Sequence, residues 1–501
     1  MATQSSVVES RSPLSGDLID TFAITSAPEV HAAVDGARIA GQWWADLGWR
    51  ARRSYLMGIK RHLARHGEEL AALVHAEMGK PLDDARLEIA LTIEHVHWAA
   101  NRAESVLGER RVSTGLLTIN QRATLAYQPV GVVAVIGPWN YPVFTPMGSI
   151  IYALAAGNAV VFKPSEWTTA TGAWLVNAIN SVVTSQQLVT MVCGPGDVGA
   201  ALCVSGANVV SFTGSAATGR HVLRACAESL TPVVLECGGK DAALVDEDAD
   251  LITAADAIVF GALSNAGQTC VGIERVYAHH LIRDELIELI TERASRLETG
   301  THGAASYGPM TLPTQADVVS AHLNDALARG GTAVLGGPSS LRGRVVTPIV
   351  LVDVPEDSTA VQEETFGPTI VINTVRDLEE GVDRANATGY GLAASVFGRT
   401  PSRVRAAARN LRVGMVSINS WVMYAGVPEL PWGGVGESGA GRIHGADGLR
   451  AFSRAKATVD QRFALPISLT SFERPPWAGK LVMAAMRWRH GGLGREHTIK
   501  D

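Results

Sequence analysis

The sequence predicts an α/β fold: two parallel sheets, each wound on both faces by helices. Three observations carry this. From Gly131 onward, short unbroken β-branched runs alternate with stretches of helical period, as strands buried on both faces require. A second such series starts near Pro232. At 501 residues the chain is long enough for two or three domains and a large core.

Residues from about Pro28 to Leu107 read mostly as amphipathic helix. In "GIKRHLARHGEELAALVHAEMG" apolar residues recur three and four apart, and Gly79 and Pro81 act as a stop. From Gly115 to Tyr127, "GLLTINQRATLAY" turns to extended alternation and predicts a hairpin leaving the main body. The first α/β series follows. Its strands are "GVVAVIG", "NAVVFK", "LVTMVCG" and "NVVSFTG". Its helices lie at "MGSIIYALAAG", around "TGAWLVNAIN", near Val198 to Val204 and near Gly219 to Glu228. The second series runs through "PVVLECGGKDAALV", "IVLVDVP", "TIVINTV", "ASVFG" and "GMVSINS", with "KATVDQRF" as a final strand. Ala464 to Asp501 changes character, with Pro, Trp and basic residues and one helix candidate, "GKLVMAAMRWRH". Packing of that helix on the protein body is expected over contact with a membrane surface.

Composition excludes several classes. The net charge of −6 mixes both signs, so no nucleic-acid footprint appears. Five cysteines (Cys193, Cys203, Cys226, Cys237, Cys270) show no CxxC spacing, which suggests a reducing compartment. The first twenty residues hold no apolar core of a secretory signal, and no run of 18 apolar residues appears, so a cytoplasmic location is expected. "HVH" (His95 to His97) and "HH" (His279, His280) lack a matching second pair, so no metal site is expected.

Several stretches carry chemistry. "SNAGQTCVGIERVY", Ser264 to Tyr277, places Cys270 between a small polar loop and an apolar β-branched run. Taken alone, Cys270 is a nucleophile or, more often for a lone cysteine, a small hydrophobe in a core. "LECGGK" puts Glu236 at a strand end before Gly238 and Gly239; it reaches a cleft or forms an ion pair. "PWNYP" puts the Asn140 carboxamide after the first strand, as a site group or a turn residue. "KPSEWT" places Lys163 and Glu166 just after the second strand, a position where ribose hydroxyls often bind in such folds. In "SFTGSAATGR", Gly214 allows close approach of the backbone. Ser215 caps or donates, and the helix start offers amides to a phosphate; an ordinary strand-to-helix loop reads equally well. "EETFGP" places Glu363 and Glu364 before an aromatic residue and a Gly-Pro turn. "GGVGESG" matches GxGxxG at Gly434, Gly436 and Gly439, but two prolines precede it where the dinucleotide fingerprint needs a buried strand, so it is read as a tight loop.

Together, "PWNYP", "KPSEWT", "FTGSAATG", "LECGGK", "GQTCVGIERVY", "EETFGP" and "PWGGVGESGAGR" stand in the order and spacing of the NAD(P)-dependent aldehyde dehydrogenase superfamily, which the chain resembles from about Ala23 to Phe463. The resemblance implies an aldehyde dehydrogenase-like α/β fold: two doubly wound parallel-sheet domains and a small β extension for oligomerisation. A Rossmann-like NAD-binding domain would comprise 1–113 and 130–236, with 436–453 returning to it. The catalytic domain would be 237–435, the oligomerisation extension 114–129 and 454–463, and the tail 464–501. The resemblance makes Cys270 the nucleophile, Asn140 with the Cys270 amide the oxyanion hole, and Glu236 the general base. It assigns Trp139, Lys163, Glu166, Gly214, Ser215, Gly238, Glu364 and Phe366 to the cofactor. Relatives that pass the acyl group to coenzyme A generally lack the glutamate at 236, so a free acid product is expected. Glu166 accepts ribose hydroxyls and repels a 2′-phosphate, so NAD is expected over NADP.

The chain looks closest to a group with an extended C-terminus, some of whose members are labelled succinate-semialdehyde dehydrogenases. Better-established enzymes of that kind place arginines where this chain has Gly148 and Ser264. An uncharged aliphatic or aromatic aldehyde is therefore expected, with succinate semialdehyde as the alternative. Trp421 and Tyr424 resemble residues of a substrate-tunnel loop, or pack in the core. A non-enzymatic binding member of the fold is the reading from another class; the intact set of Cys270, Glu236 and Asn140 stands against it. A homodimer or homotetramer is expected.

Overall fold

The computed structural model describes residues 6–301 and 305–491. The chain divides into two compact units, one of Met1–Leu107 with Gln128–Arg454, the other of Gly108–Tyr127 with Ala455–Asp501.

Two sheets organise the larger unit. The first has the order Gly439–Ala440, Val233–Cys237, Val209–Gly214, Val132–Ile136, Ala159–Lys163, Val189–Met191. Its strands are parallel except the edge pair, where Gly439 lies opposite Glu236. Val132–Ile136 and Ala159–Lys163 are buried along their whole length, as unbroken apolar runs in a two-sided sheet must be. Crossover helices Phe144–Ala156, Thr169–Val182, Gly196–Cys203 and Ala216–Ala227 connect them. The second sheet has seven strands, in the order Thr332–Leu335, Ile349–Val352, Thr369–Val375, Ile273–His279, Asp241–Val245, Ala393–Phe397, Met415–Ile418. Only the edge strand Thr332–Leu335 runs antiparallel to its neighbour.

The helical region before Leu107 resolves into Ala27–Asp46, Gly48–Met78 and Leu82–Leu107. Ser26 opens the first with a capping box to Glu29. Gly79 ends the second in the left-handed conformation. Ahead of them lies an antiparallel hairpin, Val7–Arg11 with Leu18–Ala23, which the sequence reading does not contain because its strands are short and mix apolar with polar residues without a buried run.

The smaller unit holds a three-stranded sheet in the order Ser453–Gln461, Gln121–Pro129, Arg110–Val112. The hairpin read at Gly115 to Tyr127 has its first arm five residues earlier, and a 3₁₀ turn at Leu116–Thr118 fills the bend. The tail helix is present as Ala478–His490. Only Ala478 on it is buried, and Leu481, Met483 and Trp488 are exposed. Residues 492–501 of the tail lie outside the described residues. Among the described residues no helix is long and apolar enough to cross a membrane.

Candidate active site

A cavity of about 640 Å³ in the larger unit collects the predicted residues. Asn140, Trp139, Lys163, Glu166, Gly214, Ser215, Gly238, Cys270, Glu364 and Phe366 all line it. Glu236 does not; it is buried at the end of the strand Val233–Cys237.

Cys270 is set by a loop under local strain. Helix Leu251–Leu263 ends into a 3₁₀ turn at Ser264–Gly267, where Asn265 (φ 53°) and Ala266 (φ 57°) take left-handed backbone. A Cβ at Gly267 would overlap the Gly367 carbonyl, so only glycine fits there. Side chains from "SNAGQ" then hold the turn. Gln268 donates to Asn265 O at 2.9 Å and accepts from Thr311 N at 2.8 Å. Asn265 donates to the carbonyls of Asn140 and Gln268, both at 3.2 Å. Asn140 Nδ2 donates to Gln268 O at 2.9 Å, and a carboxamide nitrogen has a second N–H to offer. One buried network thus fixes nucleophile and carboxamide together.

The loop bearing Asn140 is anchored from below. Glu88 accepts from Val143 N (2.8 Å) and Phe144 N (3.0 Å) at the start of helix Phe144–Ala156. Lys80 pairs with Glu88 in a fully buried ion pair and lies 3.7 Å from the centre of the Tyr141 ring. Tyr141 in turn meets Thr269 Oγ1 at 3.1 Å, next to the nucleophile.

A second buried pair, Lys240 with Glu274, supports the "EETFGP" loop. Glu274 accepts from Thr365 N (2.8 Å) and Phe366 N (2.9 Å). The loop presents Glu364 and Phe366, the latter with left-handed φ 52° and an edge-on contact to Trp139. Glu364 accepts from Gly239 N at 3.2 Å. A Cβ at Gly238 would overlap the Glu364 carboxylate, which explains the glycine.

At the other end Lys163 is buried, donates to Pro164 O at 3.1 Å and sits 3.6 Å from Glu166, whose carboxylate is partly exposed. Ser215 caps helix Ala216–Ala227, accepting from Thr218 N at 3.2 Å, so that helix start opens on the cavity. "GGVGESG" forms a 3₁₀ turn at Gly436–Ser438 and the two-residue edge strand Gly439–Ala440, with no helix opening on it.

Burial pushes the Cys270 thiol up, and Glu236, Glu364 and Asp241 push it further. Burial also pushes Glu236 up to about 8, against the pull of Arg442 and of a hydrogen bond to Thr213. Its Oε1 has no partner among the described residues. Burial likewise pushes Glu364 up to about 8. Perturbed carboxyls beside a thiol in a cleft mark a site for chemistry. Trp421 is buried, with its indole N–H spent on Val271 O at 2.9 Å, so it packs beside the nucleophile. Tyr424 is half-buried, rests edge-on against Trp432, and feels Cys270.

The family model for the aldehyde dehydrogenase family matches residues 1–458. The chain belongs to the aldehyde dehydrogenase family. It is 36% identical over 457 residues to a 4,4'-diapolycopene aldehyde oxidase from a Methylomonas species, covering 91% of this chain and 86% of that one. It is 33% identical over 452 residues, 89% of this chain and 87% of the other, to a Mycolicibacterium smegmatis protein assigned by name to NADP(+)-labelled succinate-semialdehyde dehydrogenase. A solved betaine aldehyde dehydrogenase from Staphylococcus aureus in complex with NAD+ matches with TM-score 0.87 and 27% identity, covering 93% of this chain and 94% of that one. This enzyme is therefore an NAD(P)-dependent oxidoreductase of the aldehyde group with the α/β parallel-sheet fold of its family.

Asn265, Gln268, Glu88 and the two buried lysines were missed by the sequence reading. Their signal is weak: ordinary polar residues, partnered only across the fold.

Proposed function

We propose that this aldehyde dehydrogenase oxidises an uncharged aliphatic or aromatic aldehyde to the carboxylic acid, with NAD, through a covalent intermediate on Cys270. The observation that carries the reading is that Cys270 and Asn140 line one cavity with Lys163, Glu166, Gly214, Ser215 and Glu364.

The cavity suits the cofactor on its own chemistry. The Ser215-capped helix start offers amides to a pyrophosphate. Lys163 and Glu166 can bind ribose hydroxyls, and Glu364, reached through Gly238, can bind the second ribose. When bound, the nicotinamide supplies the hydride acceptor. The remaining work belongs to the chain. Cys270 gives up its thiol proton to water and its Sγ attacks the carbonyl carbon as the thiolate, while the developing oxyanion takes N–H donors from Asn140 and the Cys270 amide. Loss of hydride leaves a thioester on Cys270. Glu236 takes a proton from the water that hydrolyses it, and a carboxyl poised near 8 suits that exchange.

The charge around the thiol supports an uncharged substrate. The side chains that weigh on the Cys270 thiol are the carboxyls Glu236, Glu364 and Asp241; burial holds them toward the neutral form, and they supply no positive charge to clamp a second carboxylate. At Gly148 a Cβ would lie 2.5 Å from His444 Nε2, so no longer side chain fits without moving the histidine. The names of relatives at 33% identity favour succinate semialdehyde as a second reading. Glu166 supports NAD over NADP. The three-stranded sheet supports a homodimer or homotetramer, read by light scattering.

The test is NADH formation by the purified enzyme across aliphatic, aromatic and carboxylated aldehydes. The reading expects the highest kcat/KM with uncharged aldehydes. A clear preference for succinate semialdehyde would replace it with the second reading.

A further inference from the structure

Besides Cys237, two thiols with no place in this chemistry lie at or beside the cavity. Cys203 is the last residue of helix Gly196–Cys203 and lines the cavity. Gly199 of the same helix faces Lys163. Cys226 lies on helix Ala216–Ala227, next to Ala225, which also lines the cavity. Both cysteines are free and buried, at 2% and 1% exposure. Cys226 Sγ is 3.9 Å from the Cys203 carbonyl oxygen. The neighbouring Cys203 pulls the Cys226 thiol down, and Cys226, with burial, pushes the Cys203 thiol up. Two thiols thus lie in adjoining positions across the seam between two helices that both line the cavity.

We propose that Cys203 and Cys226 form a peroxide-sensitive disulfide that weakens dinucleotide binding, and that bound dinucleotide shields the pair. The oxidant is hydrogen peroxide, small enough to enter the cavity where Cys203 borders it. Cys203, which borders the cavity, gives up its thiol proton and attacks one peroxide oxygen; the O–O bond breaks, and the departing hydroxide takes a proton and leaves as water. The Cys226 sulfur then attacks the sulfur of the resulting sulfenic acid, the S–S bond forms, and the hydroxide leaves with the Cys226 proton as a second water. Two thiols are oxidised and one peroxide is reduced to two waters. An S–S bond of about 2.05 Å requires the two helices to approach. That shifts Gly196, Gly199 and Ala200 on one wall against Thr218, Val222 and Ala225 on the other. The inference rests on the reading of this cavity as the dinucleotide site, but the disulfide itself can be detected whatever the cavity binds.

The test uses full-length Cys270→Ser protein, so that the other reactive thiol is absent. It is treated with hydrogen peroxide with and without saturating NAD, then mapped by non-reducing peptide mass spectrometry. NAD affinity is measured by calorimetry before oxidation, after it, and after thiol reductant. The expected result is a Cys203–Cys226 linked peptide only when NAD is absent, at least tenfold weaker NAD binding, and recovery on reduction. Adding Cys203→Ser or Cys226→Ser should each abolish the peroxide effect on affinity. The proposal is overturned if no linked peptide forms, if NAD gives no protection, if the linked protein binds NAD as before, or if both serine variants lose affinity under peroxide as well.

Discussion

Replacing Glu236 by Gln isolates the carboxyl that the proposed hydrolysis depends on. The side chain is buried, its Oε1 has no partner among the described residues, and burial holds it near 8. A base with that pKa is about one tenth ionised at pH 7 and about nine tenths at pH 9. The wild-type deacylation rate should therefore rise about tenfold over that interval. Gln cannot take the proton, so kcat should fall by roughly 10²–10⁴ and lose its dependence on pH. The assay is stopped-flow NADH formation, where the variant should give a burst of one equivalent per site and then a slow steady state. Stability follows the same group. Its folded pKa is raised, so the folded state favours the protonated form, and ionising it costs stability as pH climbs from 4.5 to about 8. The full difference corresponds to roughly 5 kcal/mol at most. The variant should thus melt higher than wild type at pH 9 and close to it at pH 4. A flat wild-type profile between pH 7 and 9, or a variant with wild-type steady-state turnover, would refute the reasoning.

Asn140→Ala removes a proposed oxyanion donor and should lower kcat by roughly 10²–10³ with a smaller change in KM; an unchanged kcat would remove Asn140 from the oxyanion hole. Glu166→Gln removes the charge facing the ribose and should raise the NADP-to-NAD ratio of kcat/KM at least about tenfold, read from initial rates with each cofactor. Gly238→Ala places a methyl where the Glu364 carboxylate now lies; it should raise KM for NAD by about tenfold or more, and an unaltered KM would show that Glu364 does not hold the cofactor.

The central strands of both sheets were legible because they are apolar runs buried on two faces, as at Val132–Ile136 and Ile349–Val352, whereas the edge strands Thr332–Leu335, half exposed, and Gly439–Ala440, two residues long, were not. The site residues were legible through their motifs rather than through periodicity, since each sits at a strand end or in a turn. Two features escaped. The position of Glu236 outside the cavity wall depends on how its strand end meets Gly439 and Thr213, pairings made only in three dimensions. The buried pairs Lys80–Glu88 and Lys240–Glu274 read as ordinary surface charges in a sequence, yet each pins a loop that carries site residues. The tail was legible as a helix but not in its burial, because an apolar stripe does not say what covers it.

The central claim is that the substrate's acyl group rests on Cys270. The most direct measurement is peptide mass spectrometry of the Glu236→Gln enzyme, quenched in acid after mixing with NAD and an uncharged aldehyde. A thioester adduct is expected on the Cys270 peptide at close to one per site. NADH formed with no adduct, or with an adduct on another residue, would contradict it.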